Sequence, residues 1–245
     1  MTNIEGHVLL TGGHGGLGAT LRRLFINAGW QVTSLVRQSA GGINEIACDL
    51  GSSGDVQRVL ATLSGAPAII VHAAVDGRRE IEDTVDLMSQ YQVNCVAPYV
   101  ISRSLGDRNA DSPRRTLHVH IGSEVTFHAD AKSGPYAATK ASHRVLASAL
   151  ADRFRGTSQS VATIVLGPLY TPRRCDEISL IAQRIHKSEA YVERTALARS
   201  NPDLVISRFI RPQSVFEATL ALWRMGEDAN GSLIRLDGGS GGSLN

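Results

Sequence analysis

The sequence predicts an α/β fold: a doubly wound parallel sheet of about seven strands with helices on both faces. Two observations carry that expectation. Short apolar runs alternate with amphipathic helical stretches along most of the chain, and no repeat or low-complexity tract interrupts them. A glycine cluster, Gly12-Gly13-His14-Gly15-Gly16-Leu17-Gly18, also lies between the first apolar run and the first helical one.

The first strand is read at 7–11. The helix after the glycines carries Leu17, Leu21, Leu24 and Phe25 on one face and ends at Gly29. Further strands are read at 31–36, 43–48, 68–72, 116–121, 161–166 and 232–236, with helices between most of them. Residues 68–71 are apolar throughout, as in a strand covered on both faces, whereas 116–121 alternates Leu117, Val119 and Ile121 with His118 and His120. Pro135 suits the first turn of a helix continuing through Val145, Leu146, Ala149 and Leu150. Between Thr171 and Arg211 the rhythm breaks into Arg-rich helical segments, and an insertion over 172–210 is expected to cover the site.

With 245 residues and 42% hydrophobic content, the chain is long enough for one substantial core, and a single domain over 1–245 is expected. A formal net charge of +2 creates no field that would gather nucleic acid or a membrane surface, which leaves a small molecule as the expected partner. Glu5 near the N-terminus and the lack of a long apolar run point to a cytoplasmic protein. Cys48, Cys95 and Cys175 have no C-x-x-C spacing, so three reduced thiols are expected. His118 and His120, with no acid or cysteine beside them, read as strand-face histidines, and no metal is expected.

Backbone amides of a glycine turn at a helix N-terminus can receive a pyrophosphate, which a Cβ would hold away. Farther along, Tyr136 and Lys140 are four residues apart on one helix, so the ammonium can lower the pKa of the phenol. Hydride transfer to a carbonyl leaves negative charge on oxygen, which needs a proton donor and a second hydrogen bond. Tyr136 supplies the first and Ser123, after the fifth strand, the second. Lys140 is one of only three lysines, with Lys132 and Lys187, so its place after Tyr136 is informative.

The spacing Thr11-Gly12-x-x-x-Gly16-x-Gly18, with Ser123 and Tyr136-x-x-x-Lys140 downstream, resembles the short-chain dehydrogenase/reductase family of Rossmann-like oxidoreductases, from Thr11 to Gly239. The resemblance implies that Gly12, His14, Gly15, Gly16, Leu17 and Gly18 hold the cofactor phosphates, with Asp49 and Leu50 at the adenine and Ala73 and Ala74 beside it. His72-Ala73-Ala74-Val75 stands where relatives read Asn-Asn-Ala-Gly. Val36 occupies the place of the NAD-selecting Asp, and Arg37 follows it, so NADP(H) is favoured over NAD(H). By the same resemblance Asn94 holds a water that links Lys140 to solvent, Lys140 also holds the nicotinamide ribose, and Gly167 and Thr171 lie at the nicotinamide. A homotetramer or homodimer is implied, built partly on Ala141, Ala147, Ala149 and Ala151. Two other readings stand beside carbonyl reduction: a dinucleotide-binding sensor or scaffold without turnover, and an epimerase or dehydratase with no net oxidation. Arg173, Arg174, Arg184, Arg194 and Arg199 form either a solvated helical face or a site for an acidic substrate.

Overall fold

Val8, Leu9 and Leu10 have no exposed surface, because strand β1 (His7–Thr11) is paired on both edges and covered on both faces. The computed structural model describes residues 6–78, 81 and 83–240, so Glu5 lies outside the described residues. Strand β1 pairs with β2 (Gln31–Val36) and β4 (Ile69–His72), and β3 (Glu45–Ala47) flanks β2. On the other side follow β5 (Thr116–Ser123), β6 (Gln159–Leu166) and β7 (Leu233–Leu236). All pairs are parallel, in the order β3-β2-β1-β4-β5-β6-β7. The winding reverses between β1 and β4, which opens a crevice at the carboxyl ends of the strands.

Helices α1 (Gly16–Asn27) and α8 (Pro212–Met225) cover one face, where Leu21, Phe25, Val215 and Phe216 pack on Val8, Leu10, Ile69 and Val71. Helices α2 (Ser53–Thr62) and α4 (Ala97–Arg108) cover the other, with Val56, Leu60, Ile101 and Leu105 against Leu9, Leu35 and Ile70. Helix α3 (Thr84–Tyr91) runs into α4 through a π turn, Gln92–Val96. Helix α5 (Gly134–Arg153) shares the α4 side, where Ala147, Leu150 and Ala151 pack with Phe154 and Val161. Helices α6 (Pro172–Ile185) and α7 (Glu189–Ser200) gather their own small core of Ile178, Ala182, Val192, Leu197 and Phe209. No helix among the described residues is long and apolar enough to cross a membrane, and no cluster of three or more metal-ligating side chains occurs among them.

Several expectations need correction. The third strand begins at Glu45 rather than at residue 43, because Asn44 takes a left-handed φ of 61° and leaves Ile43 84% exposed. Strand β5 continues to Ser123, and β6 starts at Gln159. His118 and His120 are fully covered, so the alternation along β5 is one of polarity and not of burial. Ala147 and Ala151 are buried within the subunit, so the four alanines do not form one outward stripe. Arg173, Arg184, Arg194 and Arg199 are exposed, whereas Arg174 lays its guanidinium over the Phe209 ring at 4.6 Å.

Four histidines, His72, His118, His120 and His143, are buried on the α4–α5 side of the sheet. Burial is the main cause holding each one neutral: His72 falls to about 3, His118 to about 4, and His120 and His143 well below the usual imidazole range. In the unfolded chain a histidine titrates near 6.5. Below that pH the unfolded state takes up protons that the folded state refuses, so stability falls as pH drops, approaching about 1.4 kcal/mol per pH unit for each histidine. Urea midpoints should therefore decline steeply between pH 6.5 and pH 5; equal midpoints at pH 7.5 and pH 5 would contradict the buried, neutral state.

Candidate active site

A cleft of about 980 Å³ runs along the carboxyl ends of the strands, from the glycine turn to Tyr136. Its nucleotide end is shaped by close backbone approaches. Gly12 has φ of 76°, and a Cβ there would fall 2.7 Å from the Ala74 Cα. The Ala74 amide in turn donates to Thr11 Oγ1 at 3.1 Å. A Cβ on Gly18 would sit 2.2 Å from the Gly12 carbonyl oxygen, so the turn can close only over glycine. At Gly15 the nearest atom would be 3.5 Å away, which leaves that side open to the cleft. Helix α1 starts at Gly16 without a side-chain cap and without an acid in its first turn. Such an N-terminus suits an anion, and the open cradle fits the pyrophosphate of a dinucleotide.

Arg37 follows β2 and borders the cleft, as do Asp49 and Leu50 beyond β3. Asp49 Oδ1 accepts from the Gly51 amide at 2.9 Å, which fixes the turn after β3. Beside the cleft on β3, the Glu45 carboxylate meets His14 Nε2 at 2.8 Å and Arg22 at 3.7 Å. The hydrogen bond from His14 holds the Glu45 carboxyl below its usual range.

At the chemical end, Ser123 is the last residue of β5 and Tyr136 is half-buried in the first turn of α5. Lys140, one turn on, is 3% exposed, and its Nζ donates to the Ile121 carbonyl at 2.9 Å. Burial lowers its ammonium to about 8, opposed by the nearby Cys95 thiol. Asn94 lies in the π turn with no exposed surface. Its Nδ2 donates to the Asp76 carbonyl at 2.8 Å and to Thr139 Oγ1 at 3.1 Å, and its Oδ1 accepts from the Asp76 amide at 2.8 Å. The Asn94 side chain is thus a clamp between the loop after β4 and α5. Gly167 lets the turn after β6 approach β7: a Cβ there would lie 2.6 Å from the Asp237 carbonyl oxygen. Thr171 caps α6, and its methyl would meet a Cβ on Gly16 at 3.1 Å.

Among the residues singled out from sequence, Ser123, Tyr136, Lys140, Gly167 and Thr171 border the cleft, as do Gly12, His14, Gly15, Gly16, Leu17, Arg37, Asp49, Leu50, Ala73 and Ala74. Gly18 and Asn94 are buried in elements that shape it. The sequence reading passed over Asp76, Gly77 and Arg78, and over Ser89 and Val93 on the facing helix, all of which line the cleft. Asp76-Gly77 is a turn pair that could have signalled this wall. Arg78 bridges Asp76 and Asp86, each at 2.7 Å, and so ties the wall to α3. Replacing Gly18 with Ala should weaken dinucleotide binding more than tenfold and lower the melting temperature, as read by fluorescence titration and calorimetry; an unchanged variant would mean that the turn is looser than described.

The family model described as short chain dehydrogenase matches residues 6–178. Protein FixR of Bradyrhizobium diazoefficiens is 27% identical over 187 residues, covering 67% of either chain. Among solved structures, L-sorbose reductase from Gluconobacter frateurii with NADPH and L-sorbose superposes with a TM-score of 0.81 at 19% identity, over 99% of each chain. A mutant 4-hydroxyisoleucine dehydrogenase with NADH and succinate gives 0.80 at 19% identity, over 98% of this chain and 100% of that one. Actinorhodin polyketide ketoreductase with NADPH gives 0.80 at 18% identity, over 99% of this chain and 100% of that one. With the family's sequence pattern spanning well over half of its length, the chain belongs to the short-chain dehydrogenase family of oxidoreductases.

Proposed function

We propose that this protein transfers hydride between NADP(H) and a carbonyl or secondary alcohol of a small molecule, with Ser123, Tyr136 and Lys140 at the reacting oxygen and Asn94 in support. The observation that carries this reading is the buried Lys140, held by the Ile121 carbonyl in the same cleft as Ser123, Tyr136 and the glycine turn. When bound, the dinucleotide supplies or accepts the hydride. In the reducing direction the Ser123 hydroxyl donates a hydrogen bond to the carbonyl oxygen and Tyr136 passes its phenolic proton to it. Lys140 lowers the phenol's pKa by its positive charge, so that the proton leaves and returns near neutral pH. In the oxidising direction Tyr136 takes the proton back.

Relatives of the same fold were solved with NADH in one case and NADPH in others, so the cofactor choice rests on this chain's own residues. Arg37 borders the cleft beyond β2, next to Val36, which stands where an NAD-selecting acid would be. A guanidinium there pairs with a 2′-phosphate. The acid that faces Arg37 is Asp76, whose carboxylate is already paired with Arg78 at 2.7 Å.

The first experiment is titration of the purified protein with NADPH and NADH, followed by a panel of carbonyls read through cofactor absorbance. NADPH should bind at least tenfold more tightly than NADH, and Arg37→Ala should remove that preference with little effect on NADH; equal affinity in the parent protein would assign Arg37 to the solvated surface. Tyr136→Phe should lower turnover by roughly a hundredfold or more while leaving cofactor affinity within twofold. An active Tyr136→Phe enzyme would remove the mechanism, and binding without turnover of any carbonyl would favour a sensor.

A further inference from the structure

Behind the cleft runs a chain of buried polar side chains that the reaction as written does not use. His72 Nε2 meets Ser102 Oγ at 2.7 Å, Ser102 Oγ meets His120 Nε2 at 3.3 Å, and His120 Nδ1 meets His143 Nε2 at 2.7 Å. The four residues come from β4, α4, β5 and α5, and none is more than 2% exposed. The rings lie close, with centroids 4.7 Å apart for His72 and His120 and 4.8 Å for His120 and His143. A neutral imidazole donates at one nitrogen and accepts at the other, and a hydroxyl does both, so the bonds can all be made in one direction along the chain.

The placement of this chain relative to Lys140 is what gives it meaning. His143 lies three residues beyond Lys140 on the same face of α5, and His120 immediately precedes Ile121, whose carbonyl accepts the Lys140 hydrogen bond. The His120–His143 bond therefore joins the same helix and strand as the Lys140–Ile121 bond, one turn away. Beside it on this face, α4 makes aliphatic contacts through Ile101 and Leu105. Apolar contacts tolerate small shifts, whereas hydrogen bonds set direction and distance.

We propose that the His72–Ser102–His120–His143 chain is a positioning device for Lys140, fixing α5 on β5 and giving the ammonium neutral polar surroundings in place of water. This rests on the role assigned to Lys140 above and adds residues to it. The titratable groups facing the chain are Lys140 on α5 and His118 on β5, the latter bonded to Gln159 at 3.2 Å, and Lys140 itself also faces Cys95 in the π turn. Burial, and after it the Lys140 charge, keeps the imidazoles unprotonated, and neutral imidazole dipoles support a neighbouring charge. Replacing them with hydrocarbon removes that support and favours the neutral amine.

With only three lysines in the chain, Lys140 can be followed directly by 13C NMR of the lysine ε-carbons in the cofactor-free protein, with no substrate required. His143→Leu alone strands a buried nitrogen of His120 and should lower the melting temperature; the double variant His120→Val/His143→Leu removes both partners and should recover part of that loss. In the double variant the Lys140 titration midpoint should fall by at least half a pH unit, and the alkaline limb of kcat/KM should move with it. His143→Gln, which keeps a hydrogen-bonding group, should stay close to the parent and serves if the apolar variants do not fold. A Lys140 midpoint that is the same in the parent, the double variant and His143→Gln would overturn the proposal, as would a His143→Gln midpoint displaced as far as that of the double variant. A parent enzyme that turns over no carbonyl would count against the proposed function instead, and the NMR midpoint would still decide the role of the histidines.

Discussion

A lysine ammonium with 3% of its side chain exposed must find its hydrogen bonds inside the protein, and Lys140 finds one at the Ile121 carbonyl, 2.9 Å away. That contact fixes how far α5 slides along β5, and so where Tyr136 stands relative to Ser123 two residues beyond Ile121. Much of the surrounding architecture serves it. Strand β5 is held on both edges by β4 and β6, so the carbonyl cannot retreat. Asn94 secures α5 further through Thr139, the residue before Lys140. The π turn that carries Asn94 widens the helix at the point where its side chain must reach both the loop and α5.

The nucleotide end depends on a different constraint, close approach of backbones. Gly12, Gly18 and Gly167 each occupy a point where a Cβ would collide with main-chain atoms at 2.2 to 2.7 Å. Two of these approaches close the turn at the α1 N-terminus, and the third brings the β6 turn against β7. Thr171 then crosses from the β6 side to within contact of Gly16, so the two ends of the cleft share a wall. Backbone atoms thus set the phosphate cradle, while side chains from later strands set the chemistry.

The fold was legible from sequence because its strands are apolar and its helices periodic, and the glycine turn marked the binding edge. Ser123, Tyr136 and Lys140 were legible because their chemistry needs those residue types at those intervals. The shortening of β3 was not, since it turns on the left-handed backbone of Asn44 between residues that individually favour a strand. Nor was the burial of His118 and His120: polarity patterning assigns a polar residue to the wet face, and only the tertiary structure reveals partners that make a polar core tolerable. His143 could have been noticed, being three residues past Lys140 on the same helix face. The alanines of α5 divide for a related reason: small residues permit close packing without naming the partner, and Ala147 and Ala151 pack with Phe154 of the same chain whereas Ala149 is exposed.

The segment 172–210, expected from sequence to cover the site, is built differently from the rest. Its core of Ile178, Val192, Leu197 and Phe209 is separate from the two that flank the sheet. It is attached to the body at a few defined points. Within it Glu193, 7% exposed, accepts from the Phe209 amide at 2.6 Å; outward, Glu193 faces Arg211 at 3.6 Å, and Arg211 lies on the Tyr170 ring at 3.6 Å. Leu169 and Ile210 form a single parallel bridge at the same place. A charged residue nearly buried and bonded to backbone resists loss of its partners, so this junction is stiff where the helices beyond it have exposed outer faces. Residues on the exposed faces of α6 and α7 can therefore change without disturbing the Lys140–Ile121 contact that the proposed chemistry uses.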